Sequence, residues 1–127
     1  MVTIDCDLNT RSLRDVLVPV DCMLASRFHA MISALSMEIP VMVLGWGHKY
    51  KEVLAQFRIE DWCFDFSNLN ATTLLRDMDA FLEACPEIKD RISHNLPEVR
   101  SLSLAQFEWL NGFLRPQLDA YGDEDVV

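Results

Sequence analysis

The stretch DCMLASRFHAMISALSMEIPVMVLGWGHK, residues 21–49, decides the fold. It predicts strand, turn, helix, strand, turn, helix. Residues 22–25 (CMLA) form an apolar run too short for a helix and suited to a buried strand. Residues 26–29 (SRFH) follow as a polar turn. Residues 30–37 hold helix formers, with Ile32, Leu35 and Ser36 on one face. Pro40 closes the helical region, and residues 41–44 (VMVL) are a second apolar strand. Gly45, Trp46 and Gly47 break the pattern before His48 and Lys49 open another helix. In a parallel sheet both turns fall at the carboxyl ends of strands, the edge where open α/β sheets bind ligands. Arg27, His29, His48 and Lys49 therefore gather cationic groups at one edge of an acidic chain.

The pattern extends in both directions. Residues 2–6 alternate weakly and read as a strand, followed by a turn over 7–10 and a short helix over 13–17, capped by Thr10 or Ser12 and ended by Pro19. A helix over 48–57 carries Val53, Leu54 and Phe57 on one face. Residues 62–66 (WCFDF) read as a third apolar strand, with Trp62, Phe64 and Phe66 in the core. Asn70 caps a helix running to Ala84, with Leu74, Leu75, Met78, Phe81 and Leu82 on one face. Pro86 suits the first turn of a further helical segment, and Pro97 interrupts it. Val99, Leu102, Phe107, Leu110, Phe113 and Leu114 then mark a final amphipathic helix, whose apolar face needs cover. Strands alternating with helices give an α/β fold: a Rossmann-like parallel sheet of about four strands with helices on both faces. One domain is expected over residues 1–115, with an acidic tail over 116–127.

Half of the residues are hydrophobic, so the chain is globular rather than disordered. Its net charge of −9 is uneven. Residues 1–57 hold five Lys/Arg and six Asp/Glu, net −1, while residues 58–127 hold six and fourteen, net −8. Such a field disfavours nucleic acid and anionic membrane surfaces, but a local cluster can still hold a small anion. Cys6, Cys22, Cys63 and Cys85 include no C-x-x-C pair and no compact Cys/His spacing for zinc. They read as free thiols, fitting a cytoplasmic location. No apolar run reaches the length of a membrane span, and the first residues lack a signal-peptide layout.

Arg27-Phe28-His29-Ala30, the small-residue helix through Ala34, Pro40, Trp46 and Lys49 together resemble the C-terminal domain of the polysaccharide pyruvyl transferase family. The resemblance covers roughly residues 10–115. The family usually has Tyr before the Lys, and Trp46 stands near that place. Family members also carry an N-terminal α/β domain, the two domains resembling a GT-B glycosyltransferase with the active site between them. The resemblance implies transfer of a pyruvyl group from phosphoenolpyruvate to the hydroxyls of a glycan or glycolipid acceptor, giving a ketal and releasing phosphate. No cofactor and no metal are expected. His29 is the candidate catalytic residue, as general acid or anion ligand. Ser26, Arg27, Phe28, Lys49 and Trp46 are the candidate substrate-binding residues. The isolated chain is expected to be inactive without an N-terminal acceptor half, and to pair with such a domain or with a second copy of itself.

Each residue also has a plainer reading. His29 can cap a helix, Arg27 can pair with Asp21 or Asp5, and Trp46 can anchor a core. Lys51 reads as part of a solvated helix face, and His48 and His94 as surface residues. Two other functions fit the same fold: an inactive binding or assembly module, and the nucleotide-sugar domain of a GT-B glycosyltransferase. The chain lacks a Gly-rich phosphate loop, which weighs against the latter.

Overall fold

The run Val41-Met42-Val43-Leu44 forms the central strand of a parallel sheet in the computed structural model, which describes residues 10–122. Strand β1 (Met23–Ala25) lies on one side of β2 (Val41–Leu44), with Met23 opposite Val41 and Ala25 opposite Val43. Strand β3 (Cys63–Phe64) lies on the other, with Val43 opposite Cys63 and Leu44 opposite Phe64. Successive strand residues point to opposite faces, and Val41, Met42 and Val43 are all fully buried, so both faces of β2 are covered. Among the described residues the sheet has three strands in the order β1-β2-β3. The strand expected over residues 2–6 lies outside the described residues, as does Cys6.

Helices α1 (Thr10–Leu17), α2 (Phe28–Ser36), α3 (His48–Gln56) and α4 (Ala71–Gly122) complete the pattern. Helix α1 begins three residues earlier than expected. Helix α2 begins at Phe28, so Phe28 and His29 belong to its first turn rather than to a loop. Its buried residues are Met31, Ala34 and Leu35; Ile32, expected inside, is exposed. The buried side lies opposite a polar stripe of His29, Ser33 and Ser36, which a helix begun at Ala30 cuts short, so that start misplaced the inward face. Helix α3 buries Leu54, and Phe57 just beyond it, as expected, and also Tyr50.

Both helices end in the same way. After α2 the amide of Glu38 donates to Leu35 O (3.1 Å) and that of Ile39 to Ala34 O (2.9 Å). Twenty residues later Arg58 N donates to Ala55 O (3.0 Å) and Ile59 N to Leu54 O (3.1 Å). These are Schellman motifs, closed by buried Ile39 and Ile59. Their left-handed residue is usually glycine; here it is Glu38 and Arg58, both at φ 59°. Helix α4 holds both corners. Ser93 Oγ donates to Glu38 Oε2 (2.6 Å), and Arg91 NH1 donates to the Arg58 carbonyl (2.7 Å).

The expected strand over 62–66 is shorter. A 3-10 turn (Glu60–Trp62) precedes β3 and another (Phe66–Asn68) follows it. Asp65 causes the second: its Oδ1 accepts from Ser67 N (2.9 Å) and Ser67 Oγ (2.6 Å), an Asx turn that ends the strand. Phe66, expected in the core, is consequently 62% exposed. Trp62 and Phe64 are half-buried, and the Trp62 ring meets the edge of Phe81 at 5.4 Å.

Helix α4 replaces the expected series of shorter helices and continues through Pro86 and Pro97. Phe81, Ile88, Ile92, Asn95 and Leu96 bury one continuous stripe, whose packing outweighs the backbone bond lost at Pro86. Leu75 and Leu82 lie off that stripe and are exposed. Pro97 instead marks a boundary between two units, Met1–Leu96 and Pro97–Val127. In the second unit Leu102, Phe107, Leu110, Phe113 and Leu114 are exposed, and the Trp109 and Phe113 rings stack at 5.8 Å. Among the described residues no helix is long and apolar enough to cross a membrane.

Cys22, Cys63 and Cys85 are free thiols. Cys22, just before β1, lies beside Cys85 of α4, a contact with no signal in their spacing. Burial and then the neighbouring Cys22 push the Cys85 thiol up to about 11. Burial also raises Cys63.

Candidate functional site

The turns after β1 and β2 are neighbours because their strands are paired in register. Each turn leads into a helix whose first residue carries no cap. The residues preceding α2 and α3, Arg27 and Gly47, have extended backbones and make no side-chain capping bond. In α2 the first helical bond runs from Met31 N to Arg27 O (3.1 Å), so the amides of Phe28, His29 and Ala30 have no partner within the helix. Neither first turn contains an acidic residue. Both helix starts thus keep their partial positive charge uncompensated.

Tyr50 joins the two turns. It is buried, its hydroxyl donates to the Ser26 carbonyl (3.3 Å), and its ring meets the edge of Phe28 at 5.6 Å. Gly45 lies beneath it, where a Cβ would sit 3.0 Å from the Tyr50 ring and force the ring to shift. Phe28 in turn meets the His29 ring edge-on at 6.1 Å. Lys49, from the other helix, places Nζ 4.8 Å from the centre of the Phe28 ring and 5.6 Å from that of Tyr50. Such a contact is worth about 0.5–1 kcal/mol at an exposed site. It holds the Lys49 ammonium beside the first turn of α2.

The structure therefore brings Ser26, Phe28, His29 and Lys49 together through Tyr50, which the sequence reading did not single out. The helical period pointed to it, since Tyr50 lies three and four residues before Val53 and Leu54. Arg27 is exposed at the same edge, and among the described residues it makes no ion pair with Asp21 or any other acid. His29 and Lys49 are exposed as well, available to a ligand.

Trp46 faces elsewhere. It is 76% exposed, so it is not a core anchor, and its ring lies 6.4 Å from that of Phe66, tilted by 56°. Beside it is a small cavity of about 190 Å³ lined by Gly45, Trp46, Gly47, His48, Lys51, Cys63 and Asp65. Hydrogen bonds from Ser67 hold the Asp65 carboxyl below the usual range. The expected site is thus two adjoining patches along one sheet edge. One is cationic, between α2 and α3; the other is aromatic and mixed in charge, between α3 and the turn after β3. Among the described residues no three His, Cys, Asp or Glu side chains group to hold a metal. No family model, curated protein or solved structure matches the chain.

Proposed function

We propose that the cationic patch binds the phosphate and carboxylate of phosphoenolpyruvate, and that the chain is the donor-binding half of a polysaccharide pyruvyl transferase of GT-B type. One observation carries the reading. Arg27, His29 and Lys49 meet two neighbouring uncapped helix starts, with no acid in either first turn, in a chain of net charge −9. Free amides and the helix dipole favour an anion there. Arg27 adds a fork that fits a phosphate or carboxylate bidentately.

The chemistry follows from the same groups. An imidazolium at His29 gives a proton to the donor methylene, which makes C2 electrophilic. A sugar hydroxyl adds to C2 and returns its proton to His29, and the bond from C2 to the phosphate oxygen then breaks. A second hydroxyl of the sugar then adds to C2 and closes the ketal, its proton leaving with phosphate. The exchange is redox-neutral. Lys49 and Arg27 stabilise the phosphate as it departs. In a GT-B arrangement the acceptor is enclosed between this domain and a second α/β domain, so binding of the donor is the direct readout. Such a domain, or a second copy, would also cover the apolar side chains of Leu102, Phe107 and Phe113.

Titration of the isotopically labelled chain with phosphoenolpyruvate, followed by NMR, tests the reading. The amides of Phe28, His29, Ala30 and Lys49 should shift saturably, and the affinity should fall as salt rises. Arg27→Ala and His29→Ala should each weaken binding by about tenfold or more, about 1.4 kcal/mol, with the melting temperature unchanged. Unmoved amides would overturn the proposal. A collapse of stability in His29→Ala would make His29 structural. A nucleotide sugar that shifts these amides where phosphoenolpyruvate does not would favour the nucleotide-sugar alternative.

A further inference from the structure

Trp46 and Phe66 are two large aromatic side chains left in water, 76% and 62% exposed, side by side at the carboxyl edge of the sheet. Trp46 stands in the turn between Gly45 and Gly47, and the Asx turn at Asp65 ends β3 just before Phe66. Neither ring contributes much to the core, so their adjacency calls for another account. The cavity beside Trp46, about 190 Å³, is below the roughly 300–1,000 Å³ of sites for drug-sized ligands and has room for one small ring. Its polar lining is balanced, with a carboxylate from Asp65, an ammonium from Lys51 and an imidazole from His48. Ser67 occupies only Oδ1 of Asp65, so among the described residues Oδ2 is the acceptor left for a ligand.

We infer that Trp46 and Phe66 form a stacking platform for a neutral sugar ring, whose hydroxyls reach Asp65 Oδ2 and the donors of His48 and Lys51. Aromatic faces suit the C–H face of a pyranose, and a paired acceptor and donor suit neighbouring hydroxyls. The balance of charge separates this patch from the cationic one, which holds Arg27, His29 and Lys49 and no acid in its helix starts. A polyol fits the first and an anion the second. The strands that carry the patches are adjacent, with spacings of roughly 5 Å, so a sugar on Trp46 would stand within one or two strand widths of the donor. The inference rests on the pyruvyl-transfer reading for its acceptor role, but the sugar site itself can be tested alone.

The probes are the methyl glycosides of glucose, galactose and mannose, which carry no charge and no phosphate. Each is titrated up to tens of millimolar against the labelled chain, with the three indole N–H resonances observed. At least one glycoside should shift the Trp46 indole saturably and leave those of Trp62 and Trp109 in place. Phe66→Ala should remove the Trp46 shift, Trp46→Ala should remove the accompanying shifts of the His48 and Lys51 amides, and Asp65→Asn should weaken binding about tenfold. All three positions are exposed, so the variants should keep the parent's circular dichroism and melting temperature. No glycoside moving the Trp46 indole, or all three indoles moving together, would overturn the inference. Phosphoenolpyruvate in a parallel titration separates the two proposals. Shifts at Phe28 and His29 without a glycoside response leave the donor site and remove the sugar site; the converse removes the donor and leaves a sugar-binding domain.

Discussion

The two βα turns are built alike and carry different side chains. Each follows a strand of the same sheet, enters a nine-residue helix through an uncapped extended residue, and leaves it by a Schellman motif on a left-handed non-glycine residue. The helix starts lie twenty residues apart, at Phe28 and His48, and so do the left-handed residues, Glu38 and Arg58. The difference lies in the connecting residues. The first turn puts Ser26 and Arg27 between strand and helix; the second puts Gly45, Trp46 and Gly47 there. In the second, Gly45 leaves space for the Tyr50 ring, which packs inward against the first turn, while Trp46 remains outside. One backbone plan thus yields a cationic turn and an aromatic one, separated by the length and side chains of the connecting residues.

The largest expected effect is at the residue that couples the turns. Tyr50→Ala removes a buried ring, its edge contact with Phe28 and its bond to the Ser26 carbonyl. Truncating a buried aromatic costs about 3–5 kcal/mol. Urea denaturation should show a loss of that order, and Lys49 should lose its place beside α2 at the same time. Tyr50→Phe keeps the ring and should lose only about 1 kcal/mol, the usual net worth of one hydrogen bond. Equal losses in both variants would mean that the hydroxyl, not the ring, holds the turns together.

This coupling also marks the limit of the sequence. The strands over 23–25 and 41–44 and the helices after them were legible because short apolar runs alternate with Pro40 and the two glycines. The cluster of Arg27, His29 and Lys49 at one edge followed from parallel strands alone. What was not legible depends on three-dimensional partners. Met31 rather than Ile32 faces inward because the side packed on the sheet is the one opposite His29, Ser33 and Ser36. Phe66 alternates as a core residue would, and only the Asp65-Phe66-Ser67 spacing hints at the Asx turn that exposes it. The ends of α2 and α3 lacked the usual glycine, so their Schellman geometry had no marker. Nothing in the separation of Cys22 from Cys85 announces their contact.

A smaller effect tests the two helix starts against each other. Serine at an N-cap accepts an amide hydrogen bond worth typically about 1 kcal/mol over a non-capping residue, but only a few tenths over glycine. Arg27→Ser also removes a cation from the positive end of α2. It should therefore stabilise the chain by about 1 kcal/mol in chemical denaturation while weakening phosphoenolpyruvate binding. Gly47→Ser should gain only a few tenths, because glycine is already tolerated there. A Cβ at position 47 meets nothing closer than 3.7 Å, so no clash obscures the comparison. An Arg27→Ser variant less stable than the parent would show that Arg27 supports the fold rather than a ligand.

The smallest effect distinguishes the two left-handed corners. A side chain in this region costs roughly 1–2 kcal/mol, which glycine relieves. Glycine also makes the unfolded chain more flexible, which returns roughly 0.5–1 kcal/mol. Arg58→Gly keeps the contact that anchors this corner, because Arg91 binds the backbone carbonyl of residue 58. Its net gain should be about 0.5 kcal/mol. Glu38→Gly loses its anchor, since Ser93 binds the carboxylate of Glu38 itself. An exposed hydrogen bond of this kind is worth about 1 kcal/mol, enough to cancel the gain or reverse it. Thermal denaturation of the two variants side by side should place Arg58→Gly above the parent and Glu38→Gly at or below it. Ser93→Ala supplies the internal check: it should lower the stability of the parent but not that of Glu38→Gly, because the bond it removes is already gone. Equal responses to Ser93→Ala in both backgrounds would show that Ser93 does not hold α4 to this corner through Glu38.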